Sequence, residues 1–108
     1  MLITTQDVFV DYEIVETLGL VKGNTIRARH VGKDILAALR NLLGGEITEY
    51  TKMLAESREQ AIDRMISDAR RMGADGIVCT RLTTSSVMQG SAELLAYGTA
   101  VKLRKKPI

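Results

Sequence analysis

Few residues in this 108-residue chain have the chemistry to hold a metal or attack a substrate. His30 and Cys79 are its single histidine and single cysteine. Zinc takes four ligands, and copper or nickel also needs several, so this pair cannot close a site within one chain. Copies gathered around a symmetry axis could. Strand alternation places His30 on an inward face, and Cys79 sits in the apolar run Ile77-Val78-Cys79-Thr80. A hydrogen-bonded core histidine and a packed thiol are the simpler readings.

The other polar combinations are weaker. Met53, Met65 and Met72 share one predicted helix, but Met65 and Met72 fall on its apolar stripe, where thioethers fill gaps. Ser85, His30 and Asp34 or Asp75 contain the residue types of a nucleophile, base and orienter, without the local sequence of a nucleophile elbow. Gly44-Gly45 precedes a helix whose N-terminus could attract an anion, yet Glu46 and Glu49 crowd the same end and would repel a phosphate. Asp75, after Gly73-Ala74, reads as a residue that organises the turn from helix to strand. Tyr50 and Arg58 lie roughly 12 Å apart along one helix and could meet only across a subunit boundary.

The elements that would position these residues follow from periodicity. Residues 12–22 alternate as a strand, with Tyr12, Ile14, Leu18 and Leu20 on one face and Val15, Thr17 and Val21 on the other. Lys22-Gly23-Asn24 has turn chemistry. Residues 25–30 alternate again, with Ile26, Ala28 and His30 inward and Thr25, Arg27 and Arg29 outward, which predicts a hairpin. Ile35, Leu36, Leu39, Leu42 and Leu43 predict a short helix over 34–43, stopped by Gly44-Gly45. A longer helix follows over 47–72, with the stripe Ile47, Tyr50, Leu54, Ala61, Met65, Ala69 and Met72, broadened by Ile62 and Ile66. Arg70 and Arg71 suit its C-terminal dipole, and Gly73 ends it. Strands over 76–83 and 92–103, joined by a polar connection over 85–91, complete the order β-β-α-α-β-β. That order predicts a two-layer α+β domain with a mainly antiparallel sheet.

Composition limits the partners. The chain is 45% hydrophobic and 26% charged, as in an ordinary globular domain, and its length suits one domain over 1–108. Phe9, Tyr12, Tyr50 and Tyr97 are the only aromatic residues, too few for a base-stacking surface. The net charge is +2, but without Lys102, Arg104, Lys105 and Lys106 there remain 11 positive against 13 negative charges. The body is slightly acidic and the basicity is a solvated C-terminal tail, so no nucleic-acid partner is expected. No apolar run approaches the ~18 residues of a membrane span, and no signal-peptide pattern opens the chain. With one unpaired cysteine, a cytoplasmic location and no membrane partner are expected.

The segments Gly32-Lys33-Asp34-Ile35, Leu39-Arg40-Asn41, Gly44-Gly45-Glu46, Glu49-Tyr50, Arg58-Glu59-Gln60-Ala61, Gly73-Ala74-Asp75, Val87-Met88-Gln89-Gly90 and Tyr97-Gly98-Thr99-Ala100-Val101 occur in an order that resembles the YbjQ family over about 14–103. The resemblance implies a dodecin-like subunit and assembly as a ring, typically a pentamer. It also carries a heavy-metal-binding label without a mechanism. The family more usually has Asn at the position of His30 and Gly or Asn at that of Cys79, so neither potential ligand is a family motif, and no cofactor is assigned. A non-catalytic homo-oligomeric binding protein is therefore expected, with a metal or small molecule in an inter-subunit cavity. The alternatives are a small enzyme using Asp75, Arg58, Tyr50 and His30 at a shared interface, and a scaffold that makes contacts through its tail.

The last strand points to the assembly surface. Leu95, Tyr97, Thr99, Val101 and Leu103 share one face, and Leu94, Ala96, Gly98 and Ala100 the other. Both faces are largely apolar. With the chain's helices on one of them, the small-residue face of Leu94, Ala96, Gly98 and Ala100 is expected to meet a neighbouring subunit.

Overall fold

The computed structural model describes residues 1–28, 48–88 and 91–108. They form strand β1 (Leu2–Ile3), strand β2 (Tyr12–Ala28), helix α1 (Thr48–Arg71), strand β3 (Gly76–Met88) and strand β4 (Ser91–Lys105). The four strands make one mixed sheet in the order β1-β3-β4-β2. β4 is antiparallel to both β2 and β3, whereas β1 is parallel to β3. The class is α+β, with the antiparallel character expected. The predicted helix over 34–43, His30 and Gly44-Gly45 lie outside the described residues.

β2 corrects the sequence reading most. It is one continuous 17-residue strand, and Lys22-Gly23-Asn24 lies in its middle instead of turning a hairpin. Gly23 is there for space. A Cβ on it would fall 2.3 Å from both the Ala61 carbonyl oxygen and the Met65 nitrogen. The helix backbone rests directly on the strand, and only glycine permits that approach.

This contact sets which face of β2 is inside. Val21, Gly23 and Thr25 are buried, while Leu20 and Ile26 are 66% and 60% exposed. That inverts the expected orientation of Thr25 and Ile26, and it makes the face of Val21, not that of Leu20, the inner one. Register shifts around Val15 and Leu18 explain why simple alternation fails over 12–21.

The helix runs close to its predicted bounds. Ser57, Ala61, Met65 and Ala69, four residues apart, are fully buried. Ala61, Met65 and Ala69 pack with Val21, Ile77, Ala96 and Ala100, and Ile62 and Ile66 pack against this core from its margin. Met72, placed on the stripe by periodicity, lies just past the helix end and is 41% exposed. Gly73 adopts φ +76°. Its N–H donates to the Arg70 carbonyl at 3.0 Å, and the Ala74 N–H donates to the Ala69 carbonyl at 3.1 Å. This pair of bonds is a Schellman stop.

Leu94, Ala96, Gly98 and Ala100 are buried inside this one chain, and Ala96 and Ala100 belong to the core beneath α1. The expectation that this face lacks a cover of its own is corrected: α1 covers it. The face left without a helix among the described residues is the opposite one, with Leu20, Ile26, Leu95, Tyr97 and Thr99.

Candidate functional site

The region with the most unusual backbone is the start of β3. Pairing with β4 passes from Val78–Thr99 to Arg81–Tyr97, so Cys79 and Thr80 together face Gly98. This is a β-bulge. Cys79 has φ +54°, the one non-glycine residue with positive φ among those described. Left-handed backbone favours Gly and Asn, which matches the residues more usual here in the resembling family.

The bulge is held by the N-terminal segment, which the sequence reading left without structure. The Cys79 N–H donates to the Gln6 carbonyl at 2.8 Å and the Thr80 N–H to the Thr4 carbonyl at 3.1 Å. Arg81 Nη1 donates to the carbonyls of Thr5 at 2.8 Å and Thr80 at 2.9 Å. The Cys79 thiol is half-buried. Thr80 is 8% exposed, and its hydroxyl oxygen is buried without a hydrogen-bond partner. Gly98 makes the two-against-one arrangement possible, since a Cβ there would sit 2.6 Å from Ile77 Cγ2 and 3.0 Å from the Val78 carbonyl oxygen.

Among the described residues, no group of three or more His, Cys, Asp or Glu side chains is placed to hold a metal ion. Cys79 is therefore not part of such a group. Asp75 acts between strands more than within the turn. Its Oδ2 accepts the Leu103 N–H at 2.9 Å, its own N–H donates to the Val101 carbonyl at 2.9 Å, and its carbonyl accepts the Leu2 N–H at 3.2 Å. Ser85 and Arg58 are exposed, on β3 and α1 respectively. Of the residues named for a shared enzyme site, Arg58 lies within α1 and Asp75 beyond its C-terminal end, and His30 lies outside the described residues.

Asp68 carries a resolved electrostatic perturbation. Hydrogen bonding from Arg71, followed by that from the Lys22 N–H, holds its carboxyl below the ordinary aspartate range. The Arg71 contact is 2.9 Å and the Lys22 contact 3.2 Å. Arg64 Nη1 donates to the Asn24 carbonyl at 2.6 Å. Two α1 side chains thus occupy backbone groups along the outer side of β2. The basic end of the chain is also tied down: Arg104 Nε donates to Glu13 at 2.6 Å, and the Lys106 N–H donates to the Asp11 carbonyl at 2.9 Å.

N-terminal β-strand signal was present in Leu2-Ile3-Thr4-Thr5, but a short strand needs a partner to be recognised, and its partner lies more than 70 residues away.

Comparison with known proteins places these features in context. A family model described as "Putative heavy-metal-binding" matches residues 1–104, so the match includes the N-terminal segment that the sequence resemblance left out. A protein from Methanococcus vannielii, named only as a UPF0145 protein, is 60% identical over 97% of this chain and all of its own length. One from Archaeoglobus fulgidus is 58% identical over 96% of each. A crystal structure of a Pediococcus pentosaceus protein of unknown function, assigned to the DUF74 family, superposes with a TM-score of 0.67 over 96% of this chain and 98% of that one, at 18% identity. At that identity the likeness speaks for the fold alone.

Proposed function

The chain belongs to the YbjQ_1 family, and from that premise we propose that it works as a non-catalytic homo-oligomer, a ring that holds a metal ion or small molecule in a cavity between subunits. The observation that carries this reading is the uncovered sheet face. Leu20 and Ile26 are 66% and 60% exposed, on the side of β2 turned away from α1. Half-buried Leu95 and Tyr97 share that face on β4, opposite Asn24 and Lys22. Large apolar side chains gathered on one face mark a partner surface. Five copies of a pentamer would multiply each chain's scarce ligands, which is the one arrangement in which a single Cys79 and a single His30 could serve a shared site. A dodecin-like ring and a cytoplasmic location fit the same picture. No described helix is long and apolar enough to cross a membrane.

Native mass spectrometry of untagged protein purified from its own host tests this reading. A single closed oligomer that retains a ligand mass is the expected result. A monomer at micromolar concentration would end it, as would catalytic turnover traced to the protein.

A further inference from the structure

We propose that the outer edge of β3, from Leu82 to Ser86, is a docking edge at which a second copy of this chain adds a strand. The inference deepens the homo-oligomer reading above and rests on it, because it names a surface through which copies meet.

The two strands that flank β4 are treated differently. β2 carries register shifts at Val15 and Leu18, and its Lys22 N–H and Asn24 carbonyl are capped by Asp68 and Arg64 of α1. Bulges and covering groups are the devices that keep an edge from pairing further. β3 is covered only at its start, where residues of the N-terminal segment pair with Ile77, Cys79 and Thr80. Beyond that, β3 continues as regular antiparallel pairing with β4 from Arg81 to Ser86, before a further register shift ahead of Met88, and over this regular stretch its outer side meets no strand among the described residues.

The direction of the free groups follows from the ladder. The Thr80 N–H points outward, to Thr4. Two-residue alternation then turns the N–H groups of Leu82, Thr84 and Ser86 outward as well. Residues 81–85 are all exposed, and Leu82 is 46% exposed.

The identity of the occupant follows from charge. Leu82-Thr83-Thr84-Ser85-Ser86-Val87-Met88 contains neither a charged residue nor a proline. Of the charges nearby, Arg81 is folded back onto Thr5 and Thr80, and Glu93, opposite Ser85 on β4, accepts a hydrogen bond from Asn24 on the far strand. Edges that must reject copies of themselves usually carry lysine or proline. This one carries nothing that a second copy would repel, and rows of Thr and Ser pair favourably across strands.

Thr84→Pro removes one outward N–H while sparing the groups that bond β4, a substitution an exposed edge tolerates. Thr83→Lys together with Ser85→Lys charges the edge without touching the backbone. Light scattering coupled to size exclusion should show wild type as an oligomer and both variants, still folded by circular dichroism, at lower mass. Hydrogen exchange of wild type gives a second readout that needs no variant: the Leu82 and Thr84 amides should exchange about tenfold or more slowly than those of an open strand. A monomeric wild type would overturn the homo-oligomer reading itself. An oligomeric wild type whose Leu82 and Thr84 amides exchange freely, or whose folded variants keep full mass, would overturn the edge alone.

Discussion

The Gly23 backbone lies against the Ala61 carbonyl, so close that a Cβ on Gly23 would stand 2.3 Å from that oxygen. The contact fixes which face of β2 receives α1 and leaves Leu20 and Ile26 outside. Gly23→Ala forces the helix off the strand, and since the blocking atoms are backbone, no side chain can move aside. Overpacking of this kind costs about 1–3 kcal/mol, occasionally more. Urea denaturation should show a midpoint well below wild type; an unchanged midpoint would mean that the helix is not seated there.

Cys79 pays a conformational cost for its φ of +54°. Cys79→Gly relieves left-handed strain worth roughly 1–2 kcal/mol, less the ~0.5–1 kcal/mol entropy loss of ordering glycine. The expected net effect is stabilisation by about 0.5–1 kcal/mol, and Cys79→Val should change stability in the opposite direction because a β-branched residue fits that region worst. Thermal unfolding of the two variants decides it, and equal melting temperatures would argue against the bulge.

Asp68 gives the chain a small acid-sensitive term. Its folded pKa is lowered from 3.8 by Arg71 and the Lys22 N–H. A depressed carboxylate contributes stability that is present above the unfolded value and lost as pH falls through the folded one. Asp68→Asn should therefore destabilise the protein at pH 7 by roughly 0.2–1 kcal/mol, as exposed ion pairs do. The difference from wild type should vanish at the acid end, below both values. A difference that persisted there would assign the effect to packing.

The basic tail is only partly free. Lys105 pairs with Tyr12 in the β2–β4 ladder and Lys106 donates to Asp11. Deleting Pro107 and Ile108 should leave the melting temperature unchanged, whereas deleting Lys105 to Ile108 should lower it by a few degrees, since about 1 kcal/mol shifts a domain of this size by ~4–8 °C. Equal behaviour of the two truncations would show the whole end to be solvated.

Metal content provides a separate check on the ligand. With one His and one Cys per chain, protein dialysed against a mild chelator should hold well under one equivalent of transition metal per chain. A full equivalent lost in both His30→Ala and Cys79→Ala would place those residues in a shared site.

Periodicity alone determined the long helix, its glycine stop, the presence of the two C-terminal strands and the α+β class, because these are local patterns. It ended β3 at 83 and read 85–91 as a connection, whereas the strand continues through the polar Ser85-Ser86 to Met88 because β4 pairs with it. It could not determine which way β2 faces. Lys22-Gly23-Asn24 has the composition of a turn, and nothing nearby in the chain reveals that the Ala61–Met65 backbone will lie on Gly23. The same holds for Ala96 and Ala100, whose smallness suits a neighbouring subunit equally well until α1 is seen above them. β1 and the Cys79 bulge were illegible for a related reason. A two-residue strand and a left-handed cysteine are held by hydrogen bonds between residues 2–6 and residues 75–80. Hydrophobic pattern and propensity are properties of neighbours in sequence, while cover, close approach and bulge geometry depend on which distant segment arrives, and that only the tertiary structure decided.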